Sequence, residues 1–383
     1  LRKVAADPLP PPPLIDSPKC PACIMVGICL PDEQNLLRDA TQAPPRRLLP
    51  ADSPARPMYI NTPGSHVGKR GERAEVTLKG QTLESVRLID LSQLVVFGNV
   101  AVSTPLIREL MSRDVPVCWY SSGGWFAGIA EGLPSRNVEL RRRQALASAE
   151  GQLAIASRMV EAKILNARTL LRRNGRPRSD DDLRNMKWFA TRARRTTDVA
   201  TLLGLEGAAA KAYFSRFASM LKSTEADEFD FLQRNRRPPR DRVNCLLSYV
   251  YGLLVRDLTA TAFAVGLDPY MGVFHRPRFG RPALALDVME EFRPLVGDSV
   301  VVGLINNGEL SRGDFVSAGG AVSLSQDGRR SVLHAYERRV DTEFTHPTFG
   351  YRITYRRAFE VQMRAVAAVL LGEFDEYRPI VTR

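Results

Sequence analysis

The hydrophobic pattern of the chain changes near residues 58 and 138, and these changes limit the folds it can adopt. From Met58, short β-rich runs alternate with glycine-containing turns, which is typical of short strands. From Val138 to the end, long helical patterns follow with few breakers. We therefore expect an α+β protein, with a small β-rich domain at 58–138 and a larger all-α catalytic domain at 139–383.

The first 57 residues fit neither pattern. Residues 1–13 are rich in proline, and the stretch "KCPACIMVGICLPDE" follows with three of the five cysteines of the chain. Residues 31–57 are rich in proline and polar residues and show little periodicity. We expect a cysteine-bearing segment at 1–34 and a linker at 35–57. The first residue is Leu1 rather than Met, so the chain is expected to be a fragment or a processed piece.

The charge of the chain indicates a polyanionic partner. The 383 residues carry a net charge of +12, with a pI near 9.8. Between residues 136 and 195 we count sixteen Lys or Arg against six Asp or Glu. A concentrated excess of this kind favours nucleic acid over a merely solvated surface. No apolar run approaches the ~18 residues of a membrane helix, and the cysteine usage indicates a cytoplasmic protein.

One glutamate falls on the apolar face of a predicted helix in "LGLEGAAAKAYFSRFASML". The stripe is formed at helical spacing by Glu206, Ala209, Tyr213, Phe217 and Met220. Burying a lone ionised carboxylate costs several kcal/mol, so the site must supply a cation, a proton or hydrogen bonds.

Two more carboxylates share the largely apolar helix predicted in "PALALDVMEEFRP". Asp287 and Glu290 are three residues apart and are therefore neighbours on the helix surface. A divalent metal would relieve their repulsion and give all three carboxylates a common role. His275, twelve residues before Asp287, can complete such a site, because imidazole with carboxylates suits manganese.

Structural explanations stay open for each of these residues. Glu206 can pair with a core arginine, and Asp287 and Glu290 can form a solvated face with Arg281 or Arg293. A single histidine before a helix is more often structural than catalytic. Spacing alone therefore leaves the metal site as one of several interpretations.

Several motifs resemble the CRISPR-associated spacer-acquisition integrase. In the helical part these are "LGLEGAAAKAYF", "NRRPPRDRVNCLLSYVYGLL", "GLDPYMGVFH" and "ALALDVMEEFRP". In the β-rich part they are "PGSHVGKRGE", "VVFGNVAVST" and "VPVCWYSSGGWFAG". The resemblance runs from about Met58 to the C-terminus. The one visible departure is Val288, where the family usually has leucine.

The resemblance implies metal ligands and a reaction. The implied ligands of Mg²⁺ or Mn²⁺ are Glu206, His275 and Asp287, and Glu290 matches a further acidic position of that site. The implied reaction is a pair of transesterifications, in which the 3′-hydroxyl ends of a captured DNA fragment attack phosphodiesters at the edges of a CRISPR repeat. The implied partners are double-stranded DNA with 3′ overhangs, the repeat DNA, a second copy of the chain and a small bridging dimer.

Charge clustering predicts which side chains hold the DNA backbone. These candidates are Arg168, Arg172, Arg173, Arg234, Arg236 and Arg237. Each of them could equally belong to a solvated face.

The three N-terminal cysteines have the spacing C-x2-C-x5-C. Cys20, Cys23 and Cys29 lie close enough in sequence that metal ligation is the usual explanation in a reducing compartment. The segment resembles the C-terminal end of the CRISPR-associated RecB-like exonuclease, whose 4Fe-4S cluster uses four cysteines. The resemblance implies the tail of a nuclease–integrase fusion, with the fourth cysteine outside this chain. A zinc site is the alternative.

Three functions therefore compete. The first is a metal-dependent DNA integrase, the second a nonenzymatic DNA-organising subunit of the same kind of complex, and the third a metal-dependent DNA endonuclease.

Overall fold

The computed structural model of the protein describes residues 11–41, 43–48, 54–124, 126–132, 137–222, 229–235 and 238–382. The helices are α1 (Val26–Cys29), α2 (Pro31–Leu37), α3 (Thr104–Ser112), α4 (Val138–Glu150), α5 (Leu153–Asn174), α6 (Asp180–Arg195), α7 (Val199–Ser215), α8 (Arg242–Val265), α9 (Ala283–Phe292), α10 (Ser299–Asn306), α11 (Gln326–Val340) and α12 (Tyr355–Leu371). The strands are β1 (Arg56–Ile60), β2 (His66–Arg70), β3 (Arg73–Leu78), β4 (Gln81–Arg87), β5 (Leu91–Phe97), β6 (Ala101–Val102), β7 (Val117–Tyr120), β8 (Phe126–Ala130), β9 (Phe315–Ala318), β10 (Ala321–Leu324), β11 (Glu343–Thr345) and β12 (Arg352–Thr354).

Two four-stranded sheets form the predicted β-rich part. One has the order β1-β5-β7-β8, with β5 parallel to both β1 and β7. The other has the order β4-β3-β2-β6, in which β2, β3 and β4 form an antiparallel meander. Alternate side chains of both sheets, including Val67, Leu94 and Val117, are fully buried in one core with Leu106 of α3. This packing confirms the prediction of short strands after Met58.

The short helix predicted in this part is also present. Ser103 caps α3 by accepting a hydrogen bond from the backbone N–H of Leu106, and Pro105 lies in the first turn. A proline is tolerated there because its missing N–H would have no partner within the helix.

The helical part begins at Val138, as the periodicity predicts. The long pattern from 137 to 174 is divided at Gly151, whose φ of +79° ends α4 and lets α5 start in a new direction. The prediction of an all-α domain needs correcting, because two short antiparallel strand pairs, β9 with β10 and β11 with β12, lie between its helices. Both pairs fall in short runs where periodicity cannot separate strand from helix.

Helices α9 and α10 are joined by one wide turn. Residues Arg293–Asp298 form a π-helical segment, so the chain continues without a break from α9 through this segment into α10. Such segments are rare and change the direction in which the following side chains point. Here the segment carries Arg293 and Asp298 at its two ends, next to the predicted site.

The predicted linker starts inside a folded element. The boundary between residues 34 and 35 falls within α2, whose residues are almost all buried. Glu33 accepts a hydrogen bond of 2.8 Å from the Tyr351 hydroxyl, and Asp32 forms an ion pair with Arg46 at 2.7 Å. Helix α2 is therefore held against the helical part through Glu33, and Arg46 is held against α2 through Asp32.

Among the described residues, no helix combines the length and apolar character needed to cross a bilayer.

Candidate active site

Asp287 on α9 holds the loop that precedes this helix. Its Oδ2 atom accepts hydrogen bonds from the backbone N–H groups of Val273 (2.6 Å) and Phe274 (3.0 Å). Its Oδ1 atom accepts the backbone N–H of His275 (2.8 Å) and lies 2.6 Å from the Nδ1 atom of the same residue. Both carboxylate oxygens are therefore occupied in a fully buried environment.

Gly272 allows the loop to approach Asp287 this closely. A Cβ atom at this position would lie 2.7 Å from the carbonyl oxygen of His275 and 2.8 Å from both Ala283 Cβ and Asp287 Oδ2. Real Cβ contacts are essentially never this short. Glycine is therefore required in "GVFH" by the packing of the loop against α9.

The contact with Asp287 fixes the orientation of the His275 ring. An ionised carboxylate accepts but does not donate, so Nδ1 is the donor in this contact and Nε2 is left for other partners. The Nε2 atom faces Glu290 at 4.0 Å from its Oε1 atom. Carboxylates that orient a metal-binding histidine through its other nitrogen are a common outer-shell arrangement.

A lysine bridges two of the predicted carboxylates. The Nζ atom of Lys163, on α5, lies 2.5 Å from Glu206 Oε1 on α7 and 2.7 Å from Glu290 Oε2 on α9. Three helices thus meet at one ammonium group. The sequence left open that Glu206 pairs with a core arginine. Its observed partner is a lysine, Lys163.

Glu290 is fully buried and surrounded by positive charge. Its Oε1 atom lies 3.2 Å from an Nη atom of Arg293, although among the described residues neither of its carboxylate oxygens has a partner with hydrogen-bond geometry. Burial alone would raise the pKa of Glu290, but the charges of Arg293 and Lys163 more than offset this effect and lower the pKa to about 2. Glu290 is therefore ionised at neutral pH.

The four predicted residues lie in one connected cluster. Asp287 contacts His275, whose ring faces Glu290, and Glu290 is linked to Glu206 through Lys163. Among the described residues, no three His, Cys, Asp or Glu side chains are arranged as a metal site. The point between the two glutamates is held instead by the Lys163 ammonium.

The donor types of this cluster are those that a divalent cation binds, although their present spacing is not that of a metal site within the described residues. Glu206 and Glu290 supply carboxylate oxygens, the Nε2 atom of His275 faces Glu290, and a positive charge already lies between the two carboxylates. Asp287 fits less well, because both its oxygens already have partners. The assignment of Asp287 as a ligand stays a prediction, and Glu290 is the better placed oxygen donor.

A cavity of about 200 Å³ opens beside the cluster. Its cationic lining consists of Lys163, Arg234 and Arg293. Two carboxylates, Glu206 and Asp298, also line it, and most of the remaining lining is apolar.

The other wall of this cavity carries a polar group that the sequence did not indicate. Asp298 accepts hydrogen bonds from the hydroxyls of Tyr213 (2.9 Å) and Tyr251 (2.5 Å). Burial raises the pKa of Asp298 to about 6, although the two hydroxyls act in the opposite direction. Asp298 lies eight residues after Glu290. Because the segment between them is partly π-helical, α-helical spacing counted from Glu290 does not predict the direction of the Asp298 side chain.

The arginines predicted to contact DNA lie in different environments. Arg168 donates to the backbone carbonyl of Leu183 at 2.8 Å, so its guanidinium holds α5 to α6. Arg172 is half-buried and Arg173 is exposed at the end of α5, whereas Arg234 lines the cavity and donates to Asn244 and Ser248. Arg236 and Arg237 lie outside the described residues. Among the four described arginines, only Arg234 lines the cavity.

An exposed aromatic residue on α6 was missed. Trp188 is 54% exposed, and the guanidinium of Arg192 lies 5.7 Å from its ring centroid. Lys187 is exposed on the same helix. Because an aromatic ring flanked by cations can stack a base and hold a backbone phosphate, this helix is a candidate nucleic-acid surface. The adjacent letters "KW" within the basic stretch were the available signal.

The three N-terminal cysteines lie near each other as free thiols. Cys20 is buried, Cys29 half-buried and Cys23 exposed. Burial raises the pKa of Cys29, and the neighbouring Cys20 and Cys23 act in the same direction. The coordinates do not arrange them as metal ligands within the described residues.

Comparison with known proteins gives the family. The profile described as CRISPR associated protein Cas1 matches residues 58–338. The chain belongs to the CRISPR-associated Cas1 family. The resemblance inferred from the motifs is thereby confirmed at the family level.

Curated Cas1 relatives extend the match beyond this region. The chain is 45% identical over 383 residues to a "CRISPR-associated exonuclease Cas4/endonuclease Cas1 fusion" of Geobacter sulfurreducens, covering 97% of this chain and 68% of that protein. A fusion of the same description from Rhodospirillum rubrum is 43% identical, covering 98% and 66%. The chain thus spans about two thirds of the length of these fusions. A "CRISPR-associated endonuclease Cas1 1" of Moorella thermoacetica is 35% identical over 85% of this chain and 98% of its own length.

Solved structures share the Cas1 fold. A Cas1 protein from Thermotoga maritima superposes with a TM-score of 0.71 at 22% identity, covering 82% of this chain and 97% of that one. A casposase bound to integration product gives a TM-score of 0.72 at 21% identity, covering 84% and 93%. These matches support the mixed α+β architecture.

Proposed function

We propose that this protein is a divalent-metal-dependent DNA integrase of CRISPR spacer acquisition. The observation that carries the proposal is the cluster of Glu206, Glu290 and His275 in a Cas1-family fold, beside a cavity whose lining includes Lys163, Arg234 and Arg293. Carboxylates of low exposure beside a cavity that contains three cationic side chains suit chemistry at a phosphodiester.

In this proposal, Glu206, Glu290 and His275 would hold Mg²⁺ or Mn²⁺. Asp287 is a positioning residue, because it orients His275 and fixes the 273–275 backbone through four contacts. The bound ion would supply Lewis-acid activation of the attacking hydroxyl and of the phosphoryl oxygens.

The remaining steps concern the side chains of the chain itself. Arg234 and Arg293 line the cavity and would bind the non-bridging oxygens of the target phosphate, where negative charge increases in the transition state. The 3′-oxygen of the captured fragment forms a bond to phosphorus, while the bond from phosphorus to the 3′-oxygen of the repeat strand breaks. The attacking hydroxyl loses one proton and the released 3′-oxygen gains one, so protons balance. One P–O bond replaces another, so no oxidant or reductant is needed.

Partners are proposed from the relatives. Solved structures with this fold include a complex titled "Cas6-RT-Cas1--Cas2 complex" (TM-score 0.73) and a casposase with its integration product. We therefore propose that the chain works as a homodimer joined by a small bridging dimer, on DNA with 3′ overhangs and on the repeat. The curated fusions also support the prediction of a nuclease tail at residues 1–34, in which Cys20, Cys23 and Cys29 would ligate a 4Fe-4S cluster or, as the alternative, zinc.

The test is a strand-transfer assay with Mn²⁺ or Mg²⁺ on the complex with its bridging subunit. The strand-transfer rate of Glu206→Gln and of His275→Ala is expected to fall by more than the about 10–100-fold typical of changes in outer-shell residues. DNA binding should be retained in both variants. Unchanged transfer in both variants would leave only a DNA-organising role.

A second substrate separates integrase from endonuclease. Fragments that end in a 3′-deoxynucleotide lack the attacking hydroxyl. An integrase stops with these ends, whereas an endonuclease continues to cut the repeat DNA.

A further inference from the structure

Lys163 lies where the proposed function requires a metal ion. Its Nζ atom is 2.5 Å from Glu206 and 2.7 Å from Glu290, and its side chain is only 14% exposed. Each glutamate comes from a different helix, and Lys163 comes from a third. A lysine at the surface of the cluster would serve for packing, but this one lies between the two proposed ligands.

The ammonium group keeps the two carboxylates together without a metal. Two carboxylates that face each other in a poorly solvated site repel strongly, because the effective dielectric there is low. The Lys163 charge removes this repulsion and holds the Glu206 and Glu290 oxygens in place. The site is thus preorganised for a cation before any metal binds.

A divalent cation and an ammonium cannot share this position. A metal bound by the same oxygens would lie within a few ångströms of Nζ, and the repulsion between the two cations would move the lysine. Lys163 has a flexible four-carbon stem and already lines the neighbouring cavity with Arg234 and Arg293. The cavity gives the displaced ammonium a place beside the phosphate-binding arginines.

We propose that Lys163 is a positioning residue that holds the cation position between Glu206 and Glu290 and is displaced by the metal into the cavity, where its charge faces the DNA phosphate. The inference rests on the proposed function, because it concerns the same metal site. If Lys163 were only a structural ion pair, its removal would lower stability and would not strengthen metal binding.

The experiment measures Mn²⁺ binding by calorimetry and by the electron paramagnetic resonance signal of free Mn²⁺, using the full chain without DNA. Lys163→Met keeps the length of the side chain and removes its charge. We expect Mn²⁺ to bind at least about tenfold more tightly to this variant, because the competing cation is gone and the carboxylates gain by accepting the metal. The variant is also expected to be less stable without metal and to be slower in strand transfer.

Lys163→Arg is the complementary variant, and it retains the charge. A guanidinium binds carboxylates through two parallel hydrogen bonds, so it should compete more strongly than lysine. We expect Mn²⁺ affinity at least about threefold below that of the unchanged protein. Lys211→Met, an exposed lysine on α7, makes the same change in net charge and should stay within about twofold.

The displacement of Lys163 and the metal dependence of the protein fail on different results. The displacement of Lys163 is overturned if Lys163→Met binds Mn²⁺ no more tightly than the unchanged protein. It is also overturned if Lys163→Arg binds Mn²⁺ as tightly as the unchanged protein or more tightly. The Arg variant alone decides the question if the Met variant does not fold. Failure of the unchanged protein to bind Mn²⁺ overturns the proposed metal-dependent function itself.

Discussion

The exchange of Asp287 for asparagine tests whether this carboxylate holds the 273–275 loop or serves mainly as a metal ligand. Asp287 accepts contacts from four donors with its two oxygens. Asparagine is close in size but offers one oxygen and one NH₂ group. In either orientation of the amide, the two donors that faced the second oxygen meet another donor.

The expected loss of stability follows from these contacts. Two hydrogen bonds to a charged acceptor contribute about 1.5–3 kcal/mol each, so the variant loses about 3–6 kcal/mol. The unfolding entropy is about 2.1 cal/mol/K per residue, or about 0.8 kcal/mol/K for the 383 residues of the chain. The melting temperature without metal should therefore fall by about 4–8 °C when the whole chain unfolds together.

The assay is thermal unfolding followed by circular dichroism, first in EDTA and then with Mn²⁺. Glu206→Gln is the matched variant, because Glu206 is partly exposed and its main partner Lys163 keeps Glu290. We expect Glu206→Gln to change the metal-free melting temperature by less than about 1 °C. It should lose most of the Mn²⁺-induced stabilisation, which is about 2.7 kcal/mol at a hundredfold excess over Kd in the unchanged protein.

The opposite pattern would refute the positioning role of Asp287. If Asp287→Asn melts within about 1 °C of the unchanged protein in EDTA and loses all Mn²⁺-induced stabilisation, Asp287 acts as a ligand and the loop does not depend on it.

Three further predictions concern packing, ionisation and DNA. Gly272→Ala should lower the melting temperature as Asp287→Asn does, because a Cβ atom has no room there. Gly303→Ala, where a Cβ atom in α10 meets open space, should be neutral or stabilise the protein by up to about 1 kcal/mol. Equal melting temperatures of these two glycine variants would contradict this prediction. Burial raises the pKa of Glu291 to about 7, above its value in the unfolded chain, so its contribution to stability is present below about pH 4.5 and is lost as the pH rises through 7. Melting curves at pH 5 and pH 8 should therefore differ less in Glu291→Gln than in the unchanged protein, and an equal difference would assign the pH dependence to other groups. Replacement of both Lys187 and Arg192 by Ala should reduce the slope of log K against log salt for duplex DNA by about 2, and an unchanged slope would place the DNA on another surface.

Local sequence patterns predicted the large elements because these elements are long and strongly periodic. The helix from Arg242 to Val265 and the short strands after Met58 follow this rule. The strand pairs β9–β10 and β11–β12 were missed, because three or four residues are too few to show a period. The burial of α2 was missed for a different reason: its polar residues have their partners elsewhere in the chain, as Glu33 has in Tyr351.

The carboxylates of the candidate site could be found from the sequence, but their partners could not. Glu206 and Glu290 stand out because a charged residue interrupts an apolar helical face. Lys163 does not stand out, because it lies in a stretch rich in basic residues where one more lysine carries no signal. Its role follows only from the crossing of α5, α7 and α9 at one point.

The basic stretch itself shows how charge counting overstates a binding surface. Residues 136–195 carry an excess of ten positive charges, yet several of their arginines have acidic partners within one helical turn. Arg142 and Arg143 both contact Glu139, and Arg158 contacts Glu161. Such local pairs reduce the field at the surface and leave the guanidinium groups oriented along the helix. DNA binding should therefore depend more on the exposed α6 surface with Lys187 and on the cavity arginines than on the number of basic residues in the stretch.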